Sequence, residues 1–216
     1  SLIKFNNILD VGCGGGETIE FIKSNFPQVK CVGSDISENM IKLAKDRLGE
    51  KASFFVSPLP RLNKINETFD VIISERSLIN LESHEEQCSA VSKISSILNP
   101  GGIYIMIENF YSSLNNINIV RKEMNLNAII PPWHNCFLED GIIEFINSST
   151  ELKLKEENRF ASTYYFLSRG IYARLAEDNK ISPVYDSDIN MLSVKFKLPE
   201  LGDYSPTKLM IWEKEK

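Results

Sequence analysis

The chain predicts an α/β fold built on a parallel sheet covered on both faces, and three observations carry that expectation. The apolar run Ile8-Leu9-Asp10-Val11 leads directly into Gly12, Gly14 and Gly16, the pattern of a strand and a tight turn that opens a helix. A second apolar run, residues 29–34, is closed by Asp35. Through the first half, strand-like runs then alternate with stretches of helical periodicity. In open sheets of this kind a ligand occupies the crevice at the carboxyl ends of the strands. Glycines let the backbone turn and approach such a ligand with no Cβ in the way. An acid about 20 residues beyond the turn is placed to accept hydrogen bonds from ribose hydroxyls, so a ribose-bearing ligand is expected, with Asp35 as its partner.

The elements follow in order. Ser37 caps a helix whose apolar positions Met40, Ile41, Ala44 and Leu48 recur at helical spacing, and Gly49 ends it. Residues 53–56 read as a third strand and residues 69–74 as a fourth. Residues 82–98 read as a helix with Val91, Ile94 and Leu98 inward, and Asn99-Pro100-Gly101-Gly102 turns the chain into a fifth strand at 103–106. Beyond Asn109 the rhythm changes. Residues 115–126 look helical, Pro131-Pro132 breaks the pattern, and a short helix at 139–147 carries Ile142, Ile143 and Ile146. Strands at 152–158 and 208–213 complete the chain. Roughly fifty residues separate these two, too many for a hairpin, and Tyr164, Tyr165, Phe166, Leu167, Ile171, Tyr172 and Leu175 keep helical spacing within them. Together with residues 110–138 this insert reads as a lid over the crevice. The plainer alternative is an extra helix packed on the sheet for stability alone.

The third glycine separates two classes of ribose ligand. A dinucleotide fingerprint starting at Gly12 needs glycine at position 17, which is Glu17. An acid there would repel the pyrophosphate that a helix N-terminus attracts. The pattern from Asp10 to Gly16 resembles the first motif of the class I S-adenosylmethionine-dependent methyltransferases, whose ligand lacks phosphate and carries a sulfonium and an ammonium group. Phe69-Asp70-Val71-Ile72-Ile73-Ser74 is similar to that family's fourth strand, and Leu98-Asn99-Pro100-Gly101-Gly102 followed by Ile103-Tyr104-Ile105-Met106 to its turn into the fifth. The match runs over about residues 8–110. It implies a Rossmann-like seven-stranded, mostly parallel sheet with an antiparallel last strand and a helical lid inserted after strands 5 and 6. One domain over residues 1–216 is then expected, with a cofactor half at about 1–110, a substrate and lid half at about 111–207, and the last strand at 208–213. S-adenosylmethionine is the cofactor implied, held by Asp10, Gly12, Gly14, Gly16, Asp35 and Ser74, with Ile36 beside the adenine. After the third strand the family often places an acid toward the adenine amino group. Here Ser57-Pro58-Leu59-Pro60 stands instead, so that contact falls to Ser57, falls to backbone, or is absent. The chain opens at Ser1 and enters its first strand almost at once. A piece of a longer protein is therefore expected, without the helices that precede this strand in many methyltransferases.

Bulk properties narrow the partners. The 216 residues suffice for one α/β domain with a sizeable core. Acidic residues outnumber basic ones 29 to 24, for a net charge of −5, which argues against a nucleic acid as the main substrate. Lys153, Lys155, Arg159, Arg169 and Arg174 form a mildly basic stretch, but Glu151, Glu156 and Glu157 interrupt it, as on a solvated face. Cys13, Cys31, Cys88 and Cys136 include no C-x-x-C pair and have no histidine at zinc spacing, so free thiols, a cytoplasmic setting and no metal are expected. No apolar stretch approaches the roughly 18 residues of a membrane span, and no signal peptide is apparent.

Methyl transfer from a sulfonium is an in-line displacement: the protein orients a nucleophile, excludes water, and takes a proton if the nucleophile is a hydroxyl. His84 lies at the polar start of a helix and reads as a surface cap. His134, in Pro131-Pro132-Trp133-His134-Asn135, reads as the base, with Trp133 as a wall and Asn135 as a polar contact. Fixing a proline-bounded loop is the other role open to it. Glu75 and Arg76 follow the fourth strand, where class I enzymes commonly face the substrate; Glu75 would orient His134 or hold a hydroxyl, and Arg76 would pair with a substrate anion. Glu108 and Asn109, at the end of the fifth strand, are expected to face the same crevice, and the lid would add Arg159, Tyr164 and Tyr165. The stretches around Glu75, Trp133 and Tyr164 look similar to small-molecule methyltransferases of bacterial surface-sugar biosynthesis. O-methylation of a sugar hydroxyl, free or on a nucleotide sugar, is therefore the expectation. An N-methyltransferase for an amine or amino sugar, a non-catalytic domain serving a companion subunit, and last a nicotinamide oxidoreductase stay open, as does a homodimer.

Overall fold

The computed structural model describes residues 5–62, 65–195 and 200–216. Ser1, where the expectation of a longer protein begins, lies outside the described residues. Seven strands, β1 (Asn7–Val11), β2 (Lys30–Asp35), β3 (Ser53–Val56), β4 (Phe69–Glu75), β5 (Leu98–Asn109), β6 (Leu152–Asn158) and β7 (Thr207–Lys214), form one sheet in the order β3-β2-β1-β4-β5-β7-β6. β1 pairs in parallel with both β2 and β4, whereas β7 runs antiparallel to its neighbours β5 and β6. The chain reverses its direction of travel across the sheet between β1 and β4. Loops leaving those two strands part there and open a crevice at their carboxyl ends.

Helices cover both faces. α1 (Glu17–Asn25) and α2 (Glu38–Leu48) press Ile19, Ile22, Ile41, Ala44 and Leu48 against Ile8, Cys31, Val71 and Ile73 of the strands. α2 is bounded as its sequence requires: the Ser37 hydroxyl accepts from the Met40 amide at 3.3 Å, and Gly49 ends it at φ 54°. On the other face, α3 (His84–Ile97) buries Ala90, Val91 and Ile94 against Leu9, Ile72, Tyr104 and Met106. Each isoleucine, leucine, valine or methionine among these contributes about 1.5–3 kcal/mol on leaving water.

The second half differs from the sequence reading in its boundaries. α4 (Tyr111–Glu123) starts four residues before the expected position, because the amides of Phe110 and Tyr111 donate to Pro206 and Leu138 carbonyls rather than to a local cap. α5 (Gly141–Ser149) returns Ile142 and Ile146 to the core. The insert between β6 and β7 is helical: α6 (Ser162–Tyr165) runs into a π-helical stretch, Phe166–Tyr172, then α7 (Ala173–Asp178), with α8 (Asp188–Lys195) beyond. The Glu200 carboxylate caps its start, accepting from the amides of Ala161 and Thr163 at 3.1 and 2.7 Å. A third cluster, Ile79, Leu114, Ile117 and Phe137 with Tyr111, Val120 and Tyr204, joins α4 to this insert beside the crevice.

Candidate active site

The turn after β1 approaches its neighbours so closely that side chains are excluded. A Cβ on Gly12 would lie 2.1 Å from the Ser77 hydroxyl, which donates to the Val11 carbonyl at 2.8 Å. Gly14, at φ 52°, has nothing within 4 Å of that position, so its backbone is open to a ligand. Gly16 instead faces α2, with Ala44 and Leu48 each 3.2 Å from its Cβ position, so it serves helix packing. Asp35 is fixed by two amides, Gly14 donating to Oδ2 at 3.0 Å and Ser37 to Oδ1 at 2.8 Å. A carboxylate has about four acceptor sites, which leaves capacity on both oxygens for ribose hydroxyls.

Charge completes the description of this crevice. Asp10 is 3% exposed, and among the described residues nothing donates a hydrogen bond to its carboxylate. Burial pushes its pKa up to about 7, helped by the charges of Glu75, Asp35 and Glu17. Arg47 pairs with Glu17 and Glu20 on the helix surface, and among the described residues no ion pair neutralises Asp10 or Glu75. A ligand that brings an ammonium and a sulfonium suits this ring of acids; a pyrophosphate does not. Ile36, 75% exposed beside Asp35, holds out an apolar surface that a flat base could cover. The chemistry of these residues therefore fits S-adenosylmethionine.

One expected cofactor contact is turned away from the crevice. Ser74 is fully buried, its hydroxyl 2.8 Å from the Tyr104 phenol, because strand alternation directs it into the sheet's core face. Among the described residues the buried Ser57 hydroxyl has no partner, and its backbone amide donates to the Asp35 carbonyl at 2.9 Å.

Next to the crevice lies a cleft of about 570 Å³ whose walls include Glu75, Arg76, Asn109, His134, Asn135 and Tyr165. Glu75 belongs to both places, since its charge also acts on Asp10. Arg76 adopts φ 50°, a left-handed conformation costing a non-glycine residue about 1–2 kcal/mol. It is held there by its own amide donating to Ile107 and by the Asn80 side-chain amide donating to its carbonyl, both at 2.8 Å. Such strain collects at functional sites. The His134 segment is tied down by the Asn135 side-chain amide donating to Asn80 at 2.8 Å and the Cys136 amide donating to Ile79 at 2.7 Å. Gln87 of α3 donates to the Cys136 carbonyl at 2.8 Å.

Four expected substrate contacts lie elsewhere. Glu108 is fully buried and accepts from the amides of Ser77 and Leu78, both at 3.0 Å, so it braces the loop that carries Glu75 and Arg76. Neighbours on a strand point to opposite faces, and Glu108 shares the face of Tyr104 and Met106 while Asn109 takes the other. Burial raises the Glu108 pKa to about 7. Trp133 is 96% exposed, thrown outward by the turn in which Asn135 donates to Pro132, and touches the His134 ring edge-on. Arg159 pairs with Glu157 and Asp203. Tyr164 is outside the cleft wall, its phenol donating to Tyr185 and accepting from Arg169. Conversely, Arg169 lines the cleft instead of lying on a solvated face, and Asn80, unnoticed in the sequence, braces both Arg76 and Asn135.

Comparison with known proteins bears on the class of protein. Residues 8–102 match a family described as a methyltransferase domain. Over 96 residues the chain is 31% identical to trans-aconitate 2-methyltransferase of Variovorax paradoxus, covering 44% of this chain and 36% of that protein. It is 25% identical over 202 residues to malonyl-[acyl-carrier protein] O-methyltransferase 2 of Ilyobacter polytropus, covering 88% of this chain and 74% of the relative. In fold it is similar to a chain of the complex between the Haloferax volcanii Trm112 methyltransferase activator and a methyltransferase, with TM-score 0.62, 14% identity, and coverage of 98% and 83%. The chain thus spans from about a third to about three quarters of the length of these sequence relatives. Residues 8–102 are thus similar to a methyltransferase domain, and the sheet and crevice have the fold of such enzymes.

Proposed function

We propose that the chain methylates an oxygen of a small polar acceptor, a sugar hydroxyl by chemical class, held in the cleft beside Glu75, with His134 as the base. The observation that carries this reading is the meeting of the acid-ringed crevice with a cleft bearing Glu75, Arg76, Asn109, His134, Asn135 and Tyr165. The bound cofactor supplies an electrophilic methyl group. Asp10 would hold its cationic end and Asp35 its ribose hydroxyls. Glu75, at the junction, accepts a hydrogen bond from the acceptor and aligns its oxygen with the methyl carbon. The His134 imidazole has no hydrogen-bond partner among the described residues, so its ring nitrogen is free to take the hydroxyl proton. Asn109 and Asn135 supply polar contacts suited to a hydroxyl-rich molecule, and a relative named as an O-methyltransferase is in keeping with oxygen as the target.

The test is a methyl-transfer screen over free glycosides and nucleotide sugars, followed by His134→Ala on the best acceptor. Loss of a general base lowers kcat by about 10²–10⁴ and removes the acidic limb of the pH–rate profile, while S-adenosylhomocysteine binding stays intact. Near-normal turnover in that variant would remove His134 from the mechanism. A flat pH profile would favour an amine acceptor.

A further inference from the structure

We infer that Arg169 and Arg76 form a clamp for an anionic group, a carboxylate or a phosphate, carried by the acceptor. This rests on the reading of the cleft as the acceptor site. Arg169 and Arg76 both line that cleft, and Glu75 is the acid among its walls. Among the described residues neither arginine has an ion-pair partner, whereas Arg47, Arg159 and Arg174 all do. An unpaired guanidinium held at a cleft wall is a receptor for planar oxyanions, which it grips with two parallel hydrogen bonds.

Arg169 is also held ready. Its guanidinium carbon lies 3.9 Å from the ring centre of Tyr185, 4.9 Å from that of Tyr165 and 5.0 Å from that of Tyr164. Nη1 donates to the Tyr164 phenol at 2.8 Å and to the Ser168 hydroxyl at 2.9 Å. Nε and Nη2 make no hydrogen bond among the described residues and keep their donors for a ligand. The backbone beneath is a π-helical stretch, a rare geometry that often marks functional positions. It is fastened by the largely buried Arg121 of α4, which donates to the carbonyls of Arg169 and Asn127. A side chain confined this way loses little further freedom on binding. Arg76 approaches from the β4 loop in its strained conformation, and the charges of both arginines act on the Tyr165 phenol. Two arginines from elements far apart in sequence thus line one cleft.

The test is calorimetric titration of the full chain, with and without saturating S-adenosylhomocysteine, using inorganic phosphate and malonate as probes and sodium chloride as the ionic-strength control. Saturable binding of phosphate points to a phosphorylated or nucleotide-linked acceptor, and of malonate to a carboxylate; either supports the clamp. Arg169→Gln and the exposed-site Arg76→Gln should each weaken the bound anion at least tenfold, and Arg169→Lys should fail to restore it. S-adenosylhomocysteine affinity should stay within about twofold in all three, which reports that they fold. Binding no stronger than chloride for both probes, or equal affinity in wild type and variants, overturns the clamp. Failure of S-adenosylhomocysteine to bind the wild type would instead sink the methyltransferase reading, and the titration without it would still decide the clamp.

Discussion

In an Asp10→Asn variant the buried side chain at the end of β1 keeps its shape and loses its charge. A rise in carboxyl pKa from 3.8 to about 7 corresponds, at about 1.36 kcal/mol per pH unit, to about 4 kcal/mol of folding free energy. The direction follows from which state holds the proton more tightly. The folded cofactor-free protein does, so this contribution is present near pH 4 and is lost as the pH rises to about 7. Asparagine removes the loss but buries an amide with its own desolvation cost of about 1–3 kcal/mol. The expected net gain at pH 8 is therefore about 1–3 kcal/mol, a rise of about 3–8 °C in Tm for a chain of this size. Glu108 titrates alike in both proteins and cancels from the difference. The same variant should bind S-adenosylhomocysteine at least tenfold more weakly, because the ligand's ammonium group loses its partner. Thermal unfolding followed by circular dichroism at pH 4 and pH 8, with and without the ligand, measures both effects. A variant no more stable than wild type at pH 8, or equally stabilised at both pH values, refutes the reasoning about Asp10.

Gly12→Ala forces Ser77 away from the Val11 carbonyl and should fail to give stable protein, as expression and thermal unfolding would show. Gly14→Ala meets open space and should fold with a loss of about 1 kcal/mol from left-handed strain, yet bind S-adenosylhomocysteine at least tenfold more weakly by calorimetry. Glu108→Gln keeps an oxygen for the amides of Ser77 and Leu78, so urea unfolding at pH 8 should show stability equal to or above wild type; Glu108→Ala orphans both amides and should lose about 2–5 kcal/mol. Trp133→Ala should change stability by less than about 0.5 kcal/mol in the same assay, since the ring is in water.

The first half of the fold was legible because its signals are local. The strand before Gly12, the Ser37 cap and Gly49 each act within a few residues of themselves, and the sheet order follows from alternating strands and helices. α4 begins early because its first amides are satisfied by Leu138 and Pro206, partners that no local window contains. Glu108 was readable in principle: counting by twos from Tyr104 and Met106 along β5 puts it on their buried face. Arg169 was not. In sequence it resembles its charged neighbours, and only the π-helical stretch and three tyrosines, one of them 16 positions away at Tyr185, bring it to the cleft. Trp133 failed for the opposite reason, as an aromatic beside a histidine suggests a wall until the proline turn is seen to face solvent.

The central claim is that the acid-ringed crevice between β1 and β4 holds S-adenosylmethionine. Calorimetric titration with S-adenosylhomocysteine, alongside NAD at the same concentrations, tests it most directly. Saturable one-to-one binding of S-adenosylhomocysteine, with no heat from NAD, is the predicted result. Binding of NAD alone, or of neither ligand to folded protein, would contradict it.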